Sequence, residues 1–309
     1  MEAGEKKRLG SHFAFERFAK NRQPVFVRVN DFTSANPRDY HKHDFVQVWY
    51  CYDNFYFHKI QETEYRCEKG SIAIIPAGTQ HEVWFEETAK VQCLNVHYDI
   101  LLGKPLGQFE NTAVQLFSGD FLQEIDPNYS FVRMLSPKSQ DAVEKALSWF
   151  VLLDYEMHSA QGNEQIWEKL EEIFALPEFS MPERKLEKAL HLVQTRVVPI
   201  MKIVSYLNDH YDEKVTDEKL LQVGNISRAV MYRYFKRLLG DTYSVYLQKL
   251  RVRRAHLYMK STTLPITQIA QLCGFSDVCH MTRVYTKYRG SNPKIQRQWL
   301  RKLYQDEKI

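Results

Sequence analysis

SRAVMYRYFKRLLG (residues 227–240) and DVCHMTRVYTKYRG (residues 277–290) are two helix-forming stretches that share one pattern at a spacing of fifty residues. The matched positions are a helix-capping residue, an arginine, an aromatic residue and a glycine. They are Ser227 and Asp277, Arg233 and Arg283, Phe235 and Tyr285, and Gly240 and Gly290. Each stretch follows a shorter helical segment and a tight turn. Two helix-turn-helix motifs in tandem predict an all-α unit that binds double-stranded DNA.

The caps and turns around these stretches favour the same arrangement. Thr216 is placed to cap a helix whose first turn is acidic, as the helix dipole favours. Gly224 and Asn225 end that helix, and both residue types tolerate the positive φ of a tight turn. The helix expected from Tyr243 to Met259 spans roughly 25 Å. Because one DNA turn is about 34 Å, both motifs can enter the same face of the major groove.

Charge is divided unevenly along the chain. Residues 196–309 hold 21 Lys and Arg against 9 Asp and Glu, a net charge of +12. Residues 1–195 hold 21 against 29, a net charge of −8, so the whole chain carries +4. Only the C-terminal part is therefore expected to meet phosphate. The competing interpretation, an unevenly charged solvated surface, is weaker because both motifs lie within the basic part.

Length and composition are typical of a globular protein with two domains. The chain has 309 residues, 44% hydrophobic and 26% charged, which exceeds the usual size of one domain. The N-terminal MEAGEKKRLGSHF lacks the apolar stretch of a signal peptide, and no segment is apolar enough to span a bilayer. The five cysteines are odd in number and lack metal-type C-x-x-C pairing. We therefore expect reduced thiols, a cytoplasmic location and no membrane partner.

Residues 44–98 are rich in aromatic and β-branched residues arranged in short runs. VQVWYCY leads through Asp53-Asn54, a hairpin-type turn, into NFYFHKI, and further runs follow between turn signals. Strands this short and evenly spaced predict a small antiparallel β-barrel or sandwich.

Two motifs within this region resemble those of the cupin fold. G-x5-P-x-G-x2-H at residues 70–81 resembles the second cupin motif, and H-x-H-x3-Q at residues 41–47 resembles the first. Gln47 stands where metal-binding cupins usually carry Glu, and Phe85 stands where Asn is expected. The glycines and the proline suit turns between strands. The resemblance therefore implies a cupin-like N-terminal β-barrel.

The chemistry of these motifs depends on His41, His43 and His81. His41 and His43 are two positions apart, so their side chains share one face of a strand, and imidazole is a common metal ligand. The missing carboxylate argues against a metal, so we expect no cofactor and favour an organic ligand; purely structural histidines are the third interpretation. Aromatic rings nearby can form walls on which sugars or flat metabolites pack. The expected effector-binding residues are His41, His43, Gln47, Trp49, His81 and Trp84.

Helical spacing of apolar residues returns after the strands, at residues 139–158 and 163–174. These helices either cover the barrel or form a dimer interface. Pro177 and Pro182 mark a linker. The expected fold class is α+β and multidomain. It comprises a cupin-like effector-binding and dimerisation domain at residues 1–176, a linker at residues 177–199, and an all-α DNA-binding domain at residues 200–309.

The two recognition helices offer DNA two kinds of contact. Arg233 and Arg283 lie near the middle of their helices, where a guanidinium can hold guanine O6 and N7 with two hydrogen bonds. Other basic side chains are expected to contact phosphates, which adds affinity without sequence specificity. They are Arg228, Lys236, Lys249, Arg251, Arg253, Arg254 and Lys287. For Arg251, an ion pair with Asp241 or Asp277 is an equally open interpretation.

Residues 227–255 resemble the first half of the AraC/XylS DNA-binding domain, through SRAVMYRYFK and then Y-L-x3-R-x3-A. Residues 266–293 resemble its second half, through I-x2-I-A-x3-G-F-x-D, then R-V-Y and G-x2-P. The N-terminal half is similar to the sensor domain of the arabinose-regulator branch of this family. The resemblance implies that one set of residues on each recognition helix reads bases. These are Ala229, Tyr232 and Arg233 on the first helix, and Cys279, His280 and Arg283 on the second.

The chain departs from the family pattern at several positions within the two motifs. They are Leu221 for a small Ala, Asn225 for Gly, His280 and Met281 for an aromatic pair, Thr286 for Lys, and Gln296 for an aromatic residue. These departures leave the fold unchanged but make the target sequence unpredictable. Cys279 is a poor hydrogen-bond donor, and it suits contact with a thymine methyl group.

The resemblance implies a dimeric bacterial transcription regulator in which an effector changes how the DNA-binding domains engage a promoter. We expect an activator of genes for carbohydrate uptake or catabolism. Its expected partners are promoter DNA, a small-molecule effector such as a sugar, RNA polymerase and a second copy of the chain. The alternatives are a metal-dependent cupin enzyme fused to a DNA-binding domain, and a barrel that only dimerises or binds protein. The sequence presents no catalytic triad, phosphate-binding glycine loop or carboxylate pair, so we expect no enzyme activity.

Overall fold

The structure is a computed structural model that describes residues 11–13, 25–32, 39–43, 45–96, 109–119, 121–156 and 163–306. The chain forms two compact units. The first comprises Met1–Met201 and Arg237–Gly240, and the second comprises Lys202–Lys236 and Asp241–Ile309. The domain limits proposed from the sequence stay a prediction. No helix in the described parts of the chain is long and apolar enough to cross a membrane.

The first unit contains two five-stranded sheets. Their strands are β1 (Ser11–Phe13), β2 (Val25–Phe32), β3 (Asp39–His43), β4 (Val46–Asp53), β5 (Phe55–Ile60), β6 (Thr63–Glu68), β7 (Ser71–Ile75), β8 (His81–Trp84), β9 (Ala89–Val96) and β10 (Val132–Met134). The strand order is β1-β3-β8-β5-β6 in the first sheet and β10-β7-β4-β9-β2 in the second. Residues 44, 97 and 98 of the predicted strand region lie outside the described residues.

The predicted fold class is confirmed, with one correction: the barrel is not closed. No backbone ladder joins the two sheets within the described residues. Side chains join the two layers instead, because Trp49 of β4 packs against Tyr56 and His58 of β5, with ring centroids 5.7 and 5.5 Å apart. Two short-stranded sheets can bury their apolar faces by packing face to face, without closure. The strands that pair with one another within residues 45–96 are antiparallel, as predicted, and the parallel pair of β1 and β3 lies outside that range.

Helices of the first unit cover part of this sandwich. They are α1 (Glu110–Phe117), α2 (Phe121–Ile125), α3 (Pro137–Glu156), α4 (Asn163–Phe174) and α5 (Glu183–Leu192). α3 lies against the second sheet, where the Tyr50 hydroxyl donates to Glu144 at 2.8 Å and the Gln92 amide donates to the Leu147 carbonyl at 3.0 Å. The periodic segment predicted at residues 139–158 therefore covers the sheet; its last two residues lie outside the described residues.

Residues 177–199, the predicted linker, are mostly helical. They contain a 3-10 turn at Pro177–Phe179, α5, and a π-helical turn at Val193–Val197. Ala189 and Val193 are fully buried in this segment. α5 packs against α1 and α2.

The second unit is helical. Its helices are α6 (Val198–Asp209, which begins in the first unit), α7 (Asp217–Gly224), α8 (Arg228–Leu239), α9 (Tyr243–Ser261), α10 (Ile266–Leu272), α11 (Val278–Arg289) and α12 (Pro293–Asp306). The predicted helix caps and helix ends are confirmed. Thr216 accepts from the Lys219 amide at 3.3 Å, and Asn225 ends α7 at a φ of 50°. Asp277 caps α11 by accepting from the His280 amide at 2.7 Å.

The turn before α11 provides a test of backbone packing. Gly274 has a φ of +70°, and a Cβ there would lie 2.6 Å from the carbonyl oxygen of Asp212. Gly290 has a φ of +72°, but its Cβ would meet nothing within 4 Å. Substitution by Ala costs roughly 1–2 kcal/mol at either position through the left-handed backbone. Because only Gly274→Ala adds a backbone clash, we expect it to lower the free energy of unfolding clearly more than Gly290→Ala.

Urea unfolding of the two variants measures this difference, with Gly290→Ala as the matched control. Equal losses would contradict the close approach of Gly274 to the chain at Asp212.

Candidate nucleic-acid interface and effector site

The exposed face of α8 carries the side chains predicted to read bases in the first motif. Ala229, Tyr232 and Arg233 are exposed, whereas Phe235 is buried on the opposite side. The Arg233 guanidinium lies 5.4 Å from the ring centroid of Tyr234. Among the described residues, no hydrogen-bond or ion-pair partner holds Arg233. Its guanidinium is therefore available to a ligand.

α11 presents the second set. Cys279 and Arg283 are exposed, lie one turn apart, and line an open groove of about 720 Å³. The other lining residues are Ile266, Val278, Thr282, Thr286, Lys287, Asn292 and Lys294. His280 is partly buried, and its Nδ1 lies 3.1 Å from the Ser276 hydroxyl. The structure thus brings Cys279 and Arg283 together and places His280 at the capped start of the helix.

α9 contacts both recognition helices. Phe235 of α8 packs against Tyr246 of α9, with ring centroids 5.7 Å apart. Tyr285, which lies fifty residues after Phe235, has its hydroxyl 2.8 Å from Nδ1 of His256 of α9. α9 has 19 residues, a length of about 28 Å. The repeat in the sequence therefore corresponds to two equivalent attachments along one helix.

An acidic side chain holds two of the predicted DNA-contact residues. Asp217 accepts hydrogen bonds from the hydroxyls of Tyr243 and, at 3.0 Å, Tyr232. It also pairs with Arg228 at 2.8 Å, and Arg228 reaches Glu218 at 3.2 Å. The Tyr243 hydrogen bond, followed by those of Tyr232 and the Arg228 charge, lowers the pKa of Asp217. Arg228 must therefore leave these carboxylates before it can neutralise a phosphate.

Two basic residues of α9 are engaged within the second unit. Arg251 donates through Nε to the Tyr211 carbonyl at 2.7 Å and through a terminal nitrogen to the Glu213 carbonyl at 2.8 Å. Asp241, one of the acids considered for Arg251, pairs with Lys249 at 2.5 Å. These contacts stabilise the fold, so phosphate contact by either residue requires their exchange.

The remaining predicted phosphate contacts differ in exposure. Arg253 and Arg254 are partly buried, and their guanidinium groups lie over the rings of Tyr246 and Tyr211, at 5.8 and 5.2 Å from the centroids. Lys236 and Lys287 are exposed. The exposed lysines are therefore the side chains best placed for phosphate.

The contrast between Arg251 and Lys236 generates a prediction. Arg251→Ala removes two charge-assisted hydrogen bonds, so we expect the free energy of unfolding to fall by about 1.5–3 kcal/mol. The slope of log K against log salt for DNA binding should stay unchanged. Lys236→Ala should change stability by less than about 0.5 kcal/mol and reduce the salt slope by about 0.9. Urea unfolding and DNA titrations at several salt concentrations measure both; a reduced salt slope for Arg251→Ala would show that Arg251 contacts phosphate.

Three buried histidines meet between the sheets of the first unit. His41 and His43 lie on β3, and His41 is paired with His81 across the ladder to β8. One ring nitrogen from each residue lies within 4.8 Å of the other two. The ring centroids of His41 and His81 are 4.2 Å apart, and those of His43 and His81 are 5.1 Å apart. The structure therefore brings the three histidines of the two sequence motifs together.

Gln47 and Trp49 lie on one face of β4 in the second sheet. Trp49 Nε1 donates to Gln47 Oε1 at 3.1 Å, and Gln47 Nε2 donates to Asn95 Oδ1 at 2.9 Å. Trp84 is not brought to this cluster. It is partly buried and stacks on Phe57, with ring centroids 5.2 Å apart. Three positions after His81, Trp84 points to the opposite face of β8.

His58 belongs to the cluster although no sequence motif marks it. Its Nε2 lies 2.8 Å from Nδ1 of His81, and its ring contacts Trp49. Burial, and then the charge of His41, lower the pKa of His58 to about 3. Burial also holds the pKa of His81 well below its ordinary value. Both imidazoles are therefore neutral at physiological pH. The alternation of β5, which buries Tyr56, His58 and Ile60, is the signal that could have identified His58.

Family models match both parts of the chain. A model of the AraC-like ligand binding domain matches residues 31–140, and a model of a helix-turn-helix domain matches residues 220–298. Together they take in more than half of the 309 residues. The first range contains the histidine cluster, and the second contains both recognition helices.

Curated relatives match the helical part. The chain is 31% identical over 108 residues to the HTH-type transcriptional regulator GbdR of Pseudomonas aeruginosa, covering 35% of this chain and 29% of GbdR. It is 30% identical over 97 residues to the HTH-type transcriptional activator RhaS of an Enterobacter species, covering 31% of this chain and 35% of RhaS. The chain thus spans about a third of the length of the curated relatives it matches. Among solved structures, ToxT from Vibrio cholerae O395 is similar, with a TM-score of 0.46, 10% identity, and coverage of 90% of this chain and 97% of ToxT.

Proposed function

The chain belongs to the AraC family, and we propose that it is a transcription regulator that binds promoter DNA through α8 and α11. We further propose that it binds a small-molecule effector between the two sheets of the first unit. The observation that carries the DNA-binding proposal is the pair Arg233 and Arg283. These exposed arginines occupy equivalent positions on two helices, each of which contacts α9.

The chemistry of the groove supports base reading by these arginines. A guanidinium that makes two parallel hydrogen bonds to guanine O6 and N7 discriminates against other bases by about 1–3 kcal/mol. Neither Arg233 nor Arg283 has a hydrogen-bond or ion-pair partner among the described residues. Arg228 and Arg251, in contrast, are engaged by carboxylates and by carbonyls. Side chains without internal partners need no exchange of contacts before they bind a base.

Other residues of the same faces complete the proposed interface. Ala229 and Tyr232 would contact bases beside Arg233, and Cys279 and His280 would do so beside Arg283. Exposed Lys236 and Lys287 would neutralise phosphates. Five basic residues are already engaged within the protein, and they would contribute long-range attraction to DNA. They would contact phosphate directly only after local rearrangement. These residues are Arg228, Lys249, Arg251, Arg253 and Arg254.

Arg283→Ala tests the base-reading proposal. Loss of the two-point contact should reduce the preference for the target duplex by about 1–3 kcal/mol, while the folded state is retained because the side chain is exposed. The measurement is the ratio of affinities for a duplex selected from a random library by the wild-type protein and for a scrambled duplex. Arg233→Ala should behave in the same way at its own base position.

Arg289→Ala is the matched control for Arg283→Ala. Arg289 is an exposed arginine of the same helix whose guanidinium reaches His256 of α9, at 3.2 Å from Nε2. The Arg289→Ala substitution removes the same charge as Arg283→Ala, but from a different face of α11. An unchanged affinity ratio in Arg283→Ala, or an equal loss in Arg289→Ala, would refute specific base reading by Arg283.

The effector proposal is supported by the polar cluster between the sheets. His41, His43, His81, Gln47 and Trp49 are all buried there, which is unusual for polar side chains unless they bind one another or a ligand. The AraC-like ligand binding domain contains them. We propose a carbohydrate as the effector. Of the two tryptophans expected to stack on it, only Trp49 lies at the cluster, because Trp84 is on the other face of β8.

Ligand-dependent melting tests the effector proposal. A ligand at a hundred times its dissociation constant should stabilise the first unit by about 2.7 kcal/mol, which is a shift of several degrees. Thermal melts of the intact protein against sugars, sugar acids and related metabolites measure it, with the Trp49→Ala variant as the control for stacking. No shift across the panel would favour a first unit that only dimerises or binds a protein.

Two further proposals concern the assembly of the protein and the direction of regulation. We propose a homodimer, and the exposed Leu152 on α3 is the apolar side chain that supports a helical interface. We also propose that the protein is an activator that recruits RNA polymerase to carbohydrate genes. On this proposal it acts in the cytoplasm and catalyses no reaction. Its support is the family and the names of its relatives as transcriptional regulators and activators.

A further inference from the structure

An open cavity of about 420 Å³ lies within the first unit and is separate from the histidine cluster. Its wall includes Tyr129, Arg133 of β10, and Glu178 of the 3-10 turn Pro177–Phe179. No histidine lines it among the described residues. A volume of this size is ordinary for a site that binds a small molecule. The cavity therefore offers a second place for a ligand in the first unit.

Arg133 has fewer partners than its guanidinium can take. A guanidinium has five N–H groups, and that of Arg133 makes one hydrogen bond among the described residues, from Nη2 to Oε1 of Gln115 at 3.3 Å. Its Nη1 is buried without a partner. The guanidinium carbon lies 4.7 Å from the ring centroid of Tyr129 and 4.9 Å from that of Phe179, and both rings belong to buried residues. Two rings therefore hold a cation whose capacity for hydrogen bonds to a carboxylate is unused.

Glu178 supplies a negative charge to the same wall. The Ser136 amide donates to one of its carboxylate oxygens and the Ser139 hydroxyl to the other, each at 2.9 Å. Burial raises the pKa of Glu178, but these hydrogen bonds outweigh it and hold the pKa below its ordinary value, so the group is ionised at physiological pH. No basic side chain pairs with it in the described parts of the chain, whereas Asp126, the other acid of the wall, pairs with Lys185 at 2.8 Å. The cavity thus presents one unpaired positive and one unpaired negative group.

From these contacts we propose that the cavity binds a free α-amino acid with an apolar side chain, whose carboxylate accepts from Arg133 and whose ammonium group donates to Glu178. A ligand with a carboxylate alone would be repelled by Glu178, and a ligand with an amine alone would be repelled by Arg133. Only a molecule that carries both charges complements the wall. Met134, which is exposed, and Met181 also line the cavity, and thioether side chains adapt to apolar groups of varied shape.

The bound amino acid would join two elements of the first unit. Arg133 lies on the edge strand β10 of the second sheet, and Glu178 lies in the 3-10 turn that precedes α5. A ligand held by both side chains therefore stabilises the contact between the sheet and the segment of residues 177–199. This inference does not depend on DNA binding or on the effector proposed between the sheets.

Calorimetric titration of the full-length wild-type protein with each of the standard L-amino acids is the primary test. We expect at least one apolar amino acid to bind, at one molecule per chain, with a dissociation constant below about 1 mM. If none of them binds this tightly, the proposal is overturned whatever the variants do.

Two derivatives of the tightest-binding amino acid test the two charges on the wild-type protein. The amide derivative lacks the carboxylate charge, and the N-acetyl derivative lacks the ammonium charge. Each should bind about 10–100-fold more weakly than the parent, because each loses a charge-assisted hydrogen bond. If either derivative binds as tightly as the parent, the cavity does not recognise both charges and the proposal is wrong.

Variants assign the ligand to this cavity. Arg133→Gln and Glu178→Gln should each weaken binding about 10–100-fold. Arg184→Gln and Glu183→Gln are the matched controls and should leave affinity unchanged, because these exposed residues carry the same charges but do not line the cavity.

Circular dichroism shows whether each variant is folded. Glu178→Gln retains an oxygen that can accept from Ser136 or Ser139, so it decides the assignment if Arg133→Gln unfolds. Unchanged binding in a folded Glu178→Gln variant would place the ligand elsewhere and contradict the proposal. A wild-type chain that binds DNA specifically but no amino acid overturns only this site; one that binds an amino acid but no DNA overturns only the proposed interface.

Discussion

The attachment of both helix-turn-helix motifs to α9 is the constraint on which the second unit depends. Phe235 reaches Tyr246, and Tyr285 reaches His256, ten residues further along the same helix. A helix rises about 1.5 Å per residue, so the two attachments are about 15 Å apart along the axis of α9. The separation of the recognition helices is therefore set by one rigid element. The fifty-residue repeat in the sequence places one of the attached aromatic residues, Phe235 or Tyr285, on each recognition helix.

The same constraint divides the basic residues into two groups. Arg251 holds α9 against the segment between α6 and α7, because its guanidinium donates to two backbone carbonyls there. Lys249 is neutralised by Asp241, and Arg228 by Asp217 and Glu218. The net charge of +12 in residues 196–309 therefore overstates the number of side chains ready for direct contact with DNA. Long-range attraction depends on the total charge, whereas the proposed base reading depends on the few side chains without internal partners.

Local features were predictable from the sequence, and long-range partners were not. The caps at Thr216 and Asp277 and the left-handed Asn225 follow from chemistry within three residues, and the structure has all of them. The carbonyl partners of Arg251 lie about forty residues away, and no pattern in the sequence indicates them. Trp84 is different, because strand alternation already places it opposite His81. The open edges of the sheets could not be foreseen, since the same alternation serves a barrel and a sandwich.

The histidine cluster links the binding of a ligand between the sheets to the stability of the first unit. Nε2 of His81 and Nδ1 of His58 are buried without hydrogen-bond partners among the described residues, and each such atom costs about 1–3 kcal/mol of stability. A ligand that satisfies one of these atoms returns that free energy to the folded sandwich. Because burial keeps both imidazoles neutral at physiological pH, one of these two atoms is a donor and the other an acceptor. Binding and the stability of the first unit are thus linked, and the sandwich should become more rigid when the site is filled.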